Sequence, residues 1–197
     1  MSGLTTTGAT IFGGSSTIEI ESLPHGLLFW RSFTQFIGGM GIVVFSIAIL
    51  PMLGFGGVQL FRAEVAGPET DKLKPRVKQT AKLLWLIYIA FICVLTIILL
   101  LTGEMDLFDA LCHSFTTIGT AGFSTRNASM GAFSPLVQWI IIIFMFISAT
   151  NFSLHYLSIR KRRFEYFKDP EFKIYFTVII FLSIAWRIEF CITVLYV

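Results

Sequence analysis

Apolar residues run without a break through residues 83–102, LLWLIYIAFICVLTIILLLT, with no charge in the stretch. At 1.5 Å of rise per residue, about 20 such residues cross a hydrocarbon core of about 30 Å, so this segment reads as a membrane-spanning helix. Three further apolar stretches approach the same length: residues 33–53, 135–157 and 172 onward. The last is interrupted by Arg187 and Glu189, which lie two apart and do not share a helix face. The third ends on a polar patch, Ser148-Ala149-Thr150-Asn151-Phe152-Ser153, followed by His155, which reads as a packing or interfacial residue.

Between the second and third spans the pattern changes period. Residues 107, 108, 111, 112 and 115 are apolar, a helical spacing, with Asp106 placed as an N-cap and Asp109 suited to the positive end of the helix dipole. At about ten residues this helix reaches roughly 15 Å, half the membrane, and predicts a re-entrant loop. It leads into Thr116-Thr117-Ile118-Gly119-Thr120-Ala121-Gly122-Phe123-Ser124-Thr125, small, hydroxyl-rich and carrying two glycines. Non-helical backbone at membrane depth is tolerated where it is buried in protein or lines a watery cavity. Such a stretch fits a pore lining, in which carbonyls replace the hydration shell of a cation; a turn-rich outer loop is the alternative. The start of the chain repeats the pattern, with Leu4-Thr5-Thr6-Thr7-Gly8 matching Phe115-Thr116-Thr117-Ile118-Gly119. Each copy precedes a proline that opens a span, Pro24 or Pro135.

Charge fixes the topology. All but three of the fifteen Lys and Arg fall in two segments, one holding Arg62, Lys72, Lys74, Arg76, Lys78 and Lys82, the other Arg160 to Arg163, Lys168 and Lys173. The positive-inside rule places both in the cytoplasm, facing anionic lipid headgroups or a cytosolic partner and not nucleic acid. The opposite segments carry Glu19, Glu21, Glu104, Asp106, Asp109 and Arg126. Of 197 residues 55% are hydrophobic and 14% charged, too apolar for disorder and too poor in charge for an ordinary soluble domain. Cys93, Cys112 and Cys191 stand singly in apolar stretches and read as buried reduced thiols. No nucleophile, metal or phosphate-binding constellation accompanies them, so an enzyme is not indicated. Residues 1–7 lack the basic and apolar regions of a signal peptide.

Several motifs in order, SGLTTTGAT at 2–10, LPHGLLFWRSFTQFIGGMGIVVFSIAILP at 23–51, LFRAEVAGP at 60–68, HSFTTIGTAGFST at 113–125 and DPEF at 169–172, resemble the membrane subunits of Trk-type potassium transporters, the TrkH family. The resemblance covers nearly all of the chain. It implies an all-α integral membrane fold built from helix, pore-loop, helix repeats around one pore, here incomplete. Residues 1–54 would be the second filter and the following helix, 55–82 a cytoplasmic loop, 83–158 a complete third repeat, 159–171 a second cytoplasmic loop and 172–197 the first helix of repeat four. It implies potassium as the transported ion, no cofactor, and backbone carbonyls of Thr6, Thr7, Gly8, Thr120, Ala121 and Gly122 as ligands. The internal self-alignment pairs Gly8 with Gly119, whereas the family's TAGF pattern points to Gly122. Ala149, Thr150 and Asn151 match an intramembrane gate; a plain helix with Ser and Thr back-bonds is the other reading of that patch. The resemblance further implies the remaining repeats, a homodimer when complete, a cytosolic TrkA-like nucleotide-binding ring and a bacterial inner-membrane location.

Three other features have structural readings. Gly38-Gly39-Met40-Gly41 predicts close helix packing. Arg31 and Gln35, one turn apart, sit near the outer end of their helix, where Arg31 snorkels or pairs with an acidic neighbour. A competing reading of the whole chain is a non-functional fragment or membrane scaffold, because it holds two filter loops where a fourfold pore needs four.

Overall fold

The computed structural model describes residues 1–13, 18–53, 70–150, 152, 154, 155, 158 and 166–195, with the side chains of 42–53, 70–81, 168 and 185–195 left aside. Among the described residues every regular element is helical: α1 His25–Leu53, α2 Thr70–Leu101, α3 Leu107–Ile118, α4 Pro135–Ser148 and α5 Pro170–Leu195, with short 3-10 turns at Ile20–Ser22, Ser129–Ala132 and Tyr166–Lys168. This is an all-α membrane fold. The chain divides into two compact units, Met1–Ala149 and Thr150–Val197.

In the first unit the short α3 is the hub, packed against α1, α2 and α4. Its buried side is mostly small and polar, with Asp109, Ala110, Cys112, His113, Ser114, Thr116 and Thr117 all enclosed. Small residues let helices approach closely, and hydroxyls join them where water is absent. Thr96 of α2 donates to the Ser114 hydroxyl at 2.9 Å, and Ser114 in turn donates to the Ala110 carbonyl at 2.7 Å. Phe29, Phe33 and Phe36 on one face of α1 meet Phe115, with Trp85 and Tyr88 of α2 beyond. Leu95 and Leu99 of α2 and Val137 of α4 are fully buried.

Large apolar side chains also stand exposed along the helices. Among the described residues, Lys82–Leu101 is the one stretch long and apolar enough to cross a membrane, with a mean hydropathy of 3.0. Yet Leu86 is 64% exposed, and Ile97, Trp139, Ile142 and Ile143 are also exposed. An apolar patch of this extent has no place in water and suits lipid.

Several boundaries differ from the sequence reading. Residues 70–82, read as loop, are the first turns of α2. The half-helix runs to Ile118, so Thr116 and Thr117 are helical. Asp106 occupies the N-cap position in extended backbone, but its side chain makes no capping bond. Pro135 stands in the first turn of α4, as the sequence indicates, but that helix stops at Ser148. The helix is thus interrupted at Ala149 and Thr150. Cys112 is buried as a thiol, whereas Cys93 is exposed on α2; the side chain of Cys191 lies outside the described residues.

In the second unit, α5 is opened by Asp169, whose carboxylate accepts the Phe172 N–H at 3.1 Å, with Pro170 in the first turn. Phe167, Phe172 and Phe176 form an aromatic run along its start. The side chains of Arg187 and Glu189 lie outside the described residues.

Candidate functional site: two glycine loops

The residues that follow α3 stop the helix in a specific way. Thr120 adopts a left-handed backbone, φ 51°. Its N–H bonds the Thr117 carbonyl at 3.0 Å, and the Ala121 N–H reaches back to the Thr116 carbonyl at 2.9 Å. These paired bonds are the Schellman stop, which satisfies the last carbonyls of a helix. The start of the chain makes the same stop. Thr6 has φ 53°, its N–H bonds the Gly3 carbonyl at 3.2 Å, and the Thr7 N–H bonds the Ser2 carbonyl at 3.1 Å.

Two residues beyond each left-handed threonine stands a glycine with positive φ, Gly8 at 74° and Gly122 at 93°. A side chain at such angles is strained, so glycine is required by the backbone itself. The repeat therefore pairs Thr6 with Thr120 and Gly8 with Gly122. Gly119, which the internal self-alignment matches to Gly8, is instead the ordinary right-handed C-cap of α3, φ −72°. The alignment slips because the Thr-rich end of the helix resembles the Thr-rich turn that follows it.

The fold brings the two loops into contact. A Cβ on Gly8 would run into the Ala121 carbonyl oxygen. Thr6, Thr7, Gly8, Thr120, Ala121 and Gly122, scattered in sequence, thus belong to one locus. Helix α1 supports both through its glycines: a Cβ on Gly38 would strike the Leu4 backbone, and one on Gly39 would lie 2.9 Å from the Gly119 Cα. The glycine cluster lets α1 pack closely on Tyr88 of α2 and on the C-cap of α3, as its spacing indicates, and also on the backbone of the first loop at Leu4.

Side chains fasten the second loop from several directions. His113 bonds the Asp109 carbonyl through Nδ1 at 2.7 Å; a carbonyl only accepts, so Nδ1 carries the proton. In the neutral ring Nε2 then accepts the Ser124 hydroxyl at 3.0 Å, and Ser124 Oγ accepts the Arg126 N–H at 3.1 Å. The Arg126 guanidinium closes the circuit on the Asp109 carboxylate at 2.8 Å. None of this network was legible beforehand, since Asp109 read as an outward charge suited to the helix dipole and Arg126 as an outward charge. Nearby, Glu104 accepts the Ser134 N–H at 2.9 Å, and hydrogen bonding by Ser134 holds its exposed carboxyl below the ordinary value.

Arg31 departs from its sequence reading. It is 8% exposed, with its guanidinium 4.6 Å from the centre of the Phe123 ring and 5.4 Å from that of Phe12, and it donates to Thr10 at 3.2 Å. Aromatic faces take the place of a carboxylate partner. Arg31 thereby ties together the segments that leave both loops. Phe12, Arg31, Phe123, Arg126 and Asn127 border a cleft of about 410 Å³ beside Gly8 and Gly122.

The three gate residues are not assembled into one described feature. Ala149 caps α4 in the first unit, its N–H bonded to the Met145 carbonyl at 2.9 Å. Thr150, in the second unit, bonds His155 Nε2 at 2.8 Å, and His155 Nδ1 lies 2.9 Å from the Tyr166 hydroxyl. His155 is a buried packing residue held from both sides. Asn151 lies outside the described residues.

The sequence pattern of the cation transport protein family TrkH matches residues 1–196. The chain belongs to the TrkH family. Among TrkH-family relatives, the Trk system potassium uptake protein TrkH of Escherichia coli K12 is 47% identical over 191 residues, covering 93% of this chain and 38% of that protein. The Trk system potassium uptake protein TrkG of the same organism is 40% identical over 164 residues, covering 82% of this chain and 33% of that one. The crystal structure of the potassium transporter TrkH from Vibrio parahaemolyticus superposes with a TM-score of 0.73 at 41% identity, over 92% of this chain and 36% of that one. The chain thus spans under two fifths of the length of these TrkH-family relatives.

Proposed function

We propose that this chain supplies two of the carbonyl loops of a potassium-conducting pore in a Trk-type uptake system. The observation that carries the reading is the repeated stop: two loops, each with a left-handed threonine followed by a positive-φ glycine, meet backbone to backbone at Gly8 and Ala121. Carbonyls of Thr6, Thr7 and Gly8 on one loop, and of Thr120, Ala121 and Gly122 on the other, hold the ion in place of its water. Relatives of this chain are named as potassium uptake proteins, which supports potassium as the ion.

A ring of ligands needs more than two loops, so the remaining repeats complete the pore. The complete protein is a multi-pass transporter of the bacterial inner membrane, a homodimer governed by a cytosolic TrkA-like nucleotide-binding ring. That ring acts on the gate at Ala149, Thr150 and Asn151, just past the end of α4. No catalytic step is involved, and the ion moves down its electrochemical gradient.

The test is potassium uptake by a full-length transporter carrying these residues, in cells lacking uptake systems of their own. Gly8→Val and Gly122→Val are each expected to reduce uptake to background while the protein still reaches the membrane. Wild-type uptake by both variants sinks the proposal. Uptake by this chain expressed alone would replace it with a self-sufficient pore.

A further inference from the structure

We propose that Gln35 is a positioning residue for the pore, holding the Gly122 carbonyl toward the ion path; the inference rests on the pore reading above. Peptide groups are planar and, throughout the described chain, trans, so the N–H of one residue and the carbonyl of the residue before it point in opposite directions. Fixing an N–H therefore aims a carbonyl. In the second loop, the N–H groups of Gly119, Thr120 and Ala121 are bound by the carbonyls of Phe115, Thr117 and Thr116. These three bonds turn the carbonyls of Ile118, Gly119 and Thr120 away from the helix end.

The carbonyls that follow are those of Ala121 and Gly122, and the Gly122 carbonyl lies beyond the reach of the helix. Its orientation is set by the Phe123 N–H, which needs an acceptor from elsewhere. Gln35 of α1 supplies it: Oε1 accepts that N–H at 3.2 Å, across 88 residues of sequence. A backbone N–H can be met only by the amide oxygen, which fixes the orientation of the Gln35 side chain. Gln35 has no exposed surface, and its own carbonyl lies against Gly119, 3.0 Å from where a Cβ there would stand. The backbone of α1 is thus close against Gly119 at this position. With φ at 93° and nothing within 4 Å of a Cβ position, Gly122 has no side chain to hold its peptide, and the bond to the Phe123 N–H is the hydrogen bond that orients its carbonyl. The Gln35 Nε2 is buried with no hydrogen-bond partner in the structure, so acceptance by Oε1 is the interaction the residue contributes.

Three variants of the full-length transporter separate the acceptor from the bulk of the side chain. Gln35→Met keeps the length and removes the acceptor, Gln35→Asn keeps the amide but withdraws it by one methylene, and Gln35→Glu keeps an oxygen in place. The readout is the ratio of potassium to sodium uptake, which does not depend on how much protein reaches the membrane. Losing one hydrogen bond of ordinary net strength corresponds to roughly a tenfold change. The ratio is expected to fall about tenfold in Gln35→Met and Gln35→Asn, and to stay within about twofold of wild type in Gln35→Glu. An unchanged ratio in Gln35→Met, or an equal fall in Gln35→Glu, overturns the positioning role. Gly122→Val run in the same cells separates the two readings: if it abolishes uptake while Gln35→Met changes nothing, the role of Gln35 fails and the pore stands. If Gly122→Val leaves uptake intact, the pore reading itself fails.

Discussion

The two glycine loops have the same backbone and different supports. Both stop a helical turn with a left-handed threonine, at Thr6 and Thr120, and both continue to a positive-φ glycine. The second loop is fastened by its own repeat: His113 and Asp109 on α3 reach Ser124 and Arg126 beyond the glycine. The first loop is met by α1, where Arg31 meets Thr10, Gly38 meets Leu4 and Thr34 meets Gly3, and by the second loop, where Ala121 meets Gly8. Its own side chains add only short-range bonds, among them the Thr5 and Thr7 hydroxyls at 2.8 Å and the Phe12 N–H on the Thr10 hydroxyl at 3.1 Å. A repeated backbone therefore does not imply repeated support. The geometry of the stop is local, whereas the surrounding contacts depend on which helix lies alongside.

The largest expected difference concerns the glycines. Alanine at either position incurs the left-handed penalty of about 1–2 kcal/mol. At Gly8 the added Cβ also meets the Ala121 carbonyl, while at Gly122 it meets nothing within 4 Å. Gly8→Ala should therefore lose more potassium uptake than Gly122→Ala, by about tenfold, since steric displacement of a backbone adds to the strain. Equal losses would show that strain alone governs and that the two loops are not in contact in the working transporter.

A smaller effect is expected at His113. Replacement by Phe keeps the ring but removes both nitrogens, leaving the Asp109 carbonyl and the Ser124 hydroxyl without their partner. Orphaned buried groups cost about 1–3 kcal/mol each way they are left, so thermal unfolding of the purified transporter should fall by several degrees. An unchanged melting temperature would mean that the second loop is no better fastened than the first.

Glu104 carries the smallest effect. Its carboxyl is held below the ordinary value of 4.5 by Ser134 at the start of α4. A lowered folded pKa means that the contribution is present above the ordinary value and is lost as pH falls through the lowered one. The melting temperature of Glu104→Gln should therefore differ from wild type at neutral pH and converge with it in acid below the ordinary value. A difference that persists unchanged in acid well below the ordinary value would remove Glu104 from the account.

Much of the fold was legible because its signals are local. The apolar run 83–102, the half-length of α3 and the prolines at 24 and 135 each follow from a few neighbouring residues. The site was legible in composition but not in register. Thr116 and Thr117 look like pore lining in sequence, and only the hydrogen bonds they accept from Ala121 and Thr120 show them to be the last turn of a helix. Arg31 and Gln35 stood out as polar residues in an apolar helix, without any sign of what they meet.

The sequence by itself determined that this chain is helical, membrane-embedded and interrupted by two Thr/Gly loops, since hydropathy and backbone preference act over one or two turns. The tertiary structure decided that Gly8 lies against Ala121, that Arg31 rests on Phe12 and Phe123, and that Gln35 holds the Phe123 N–H. Those pairings join residues up to 113 positions apart, brought together by the packing of α1 against α3, and no local preference encodes them.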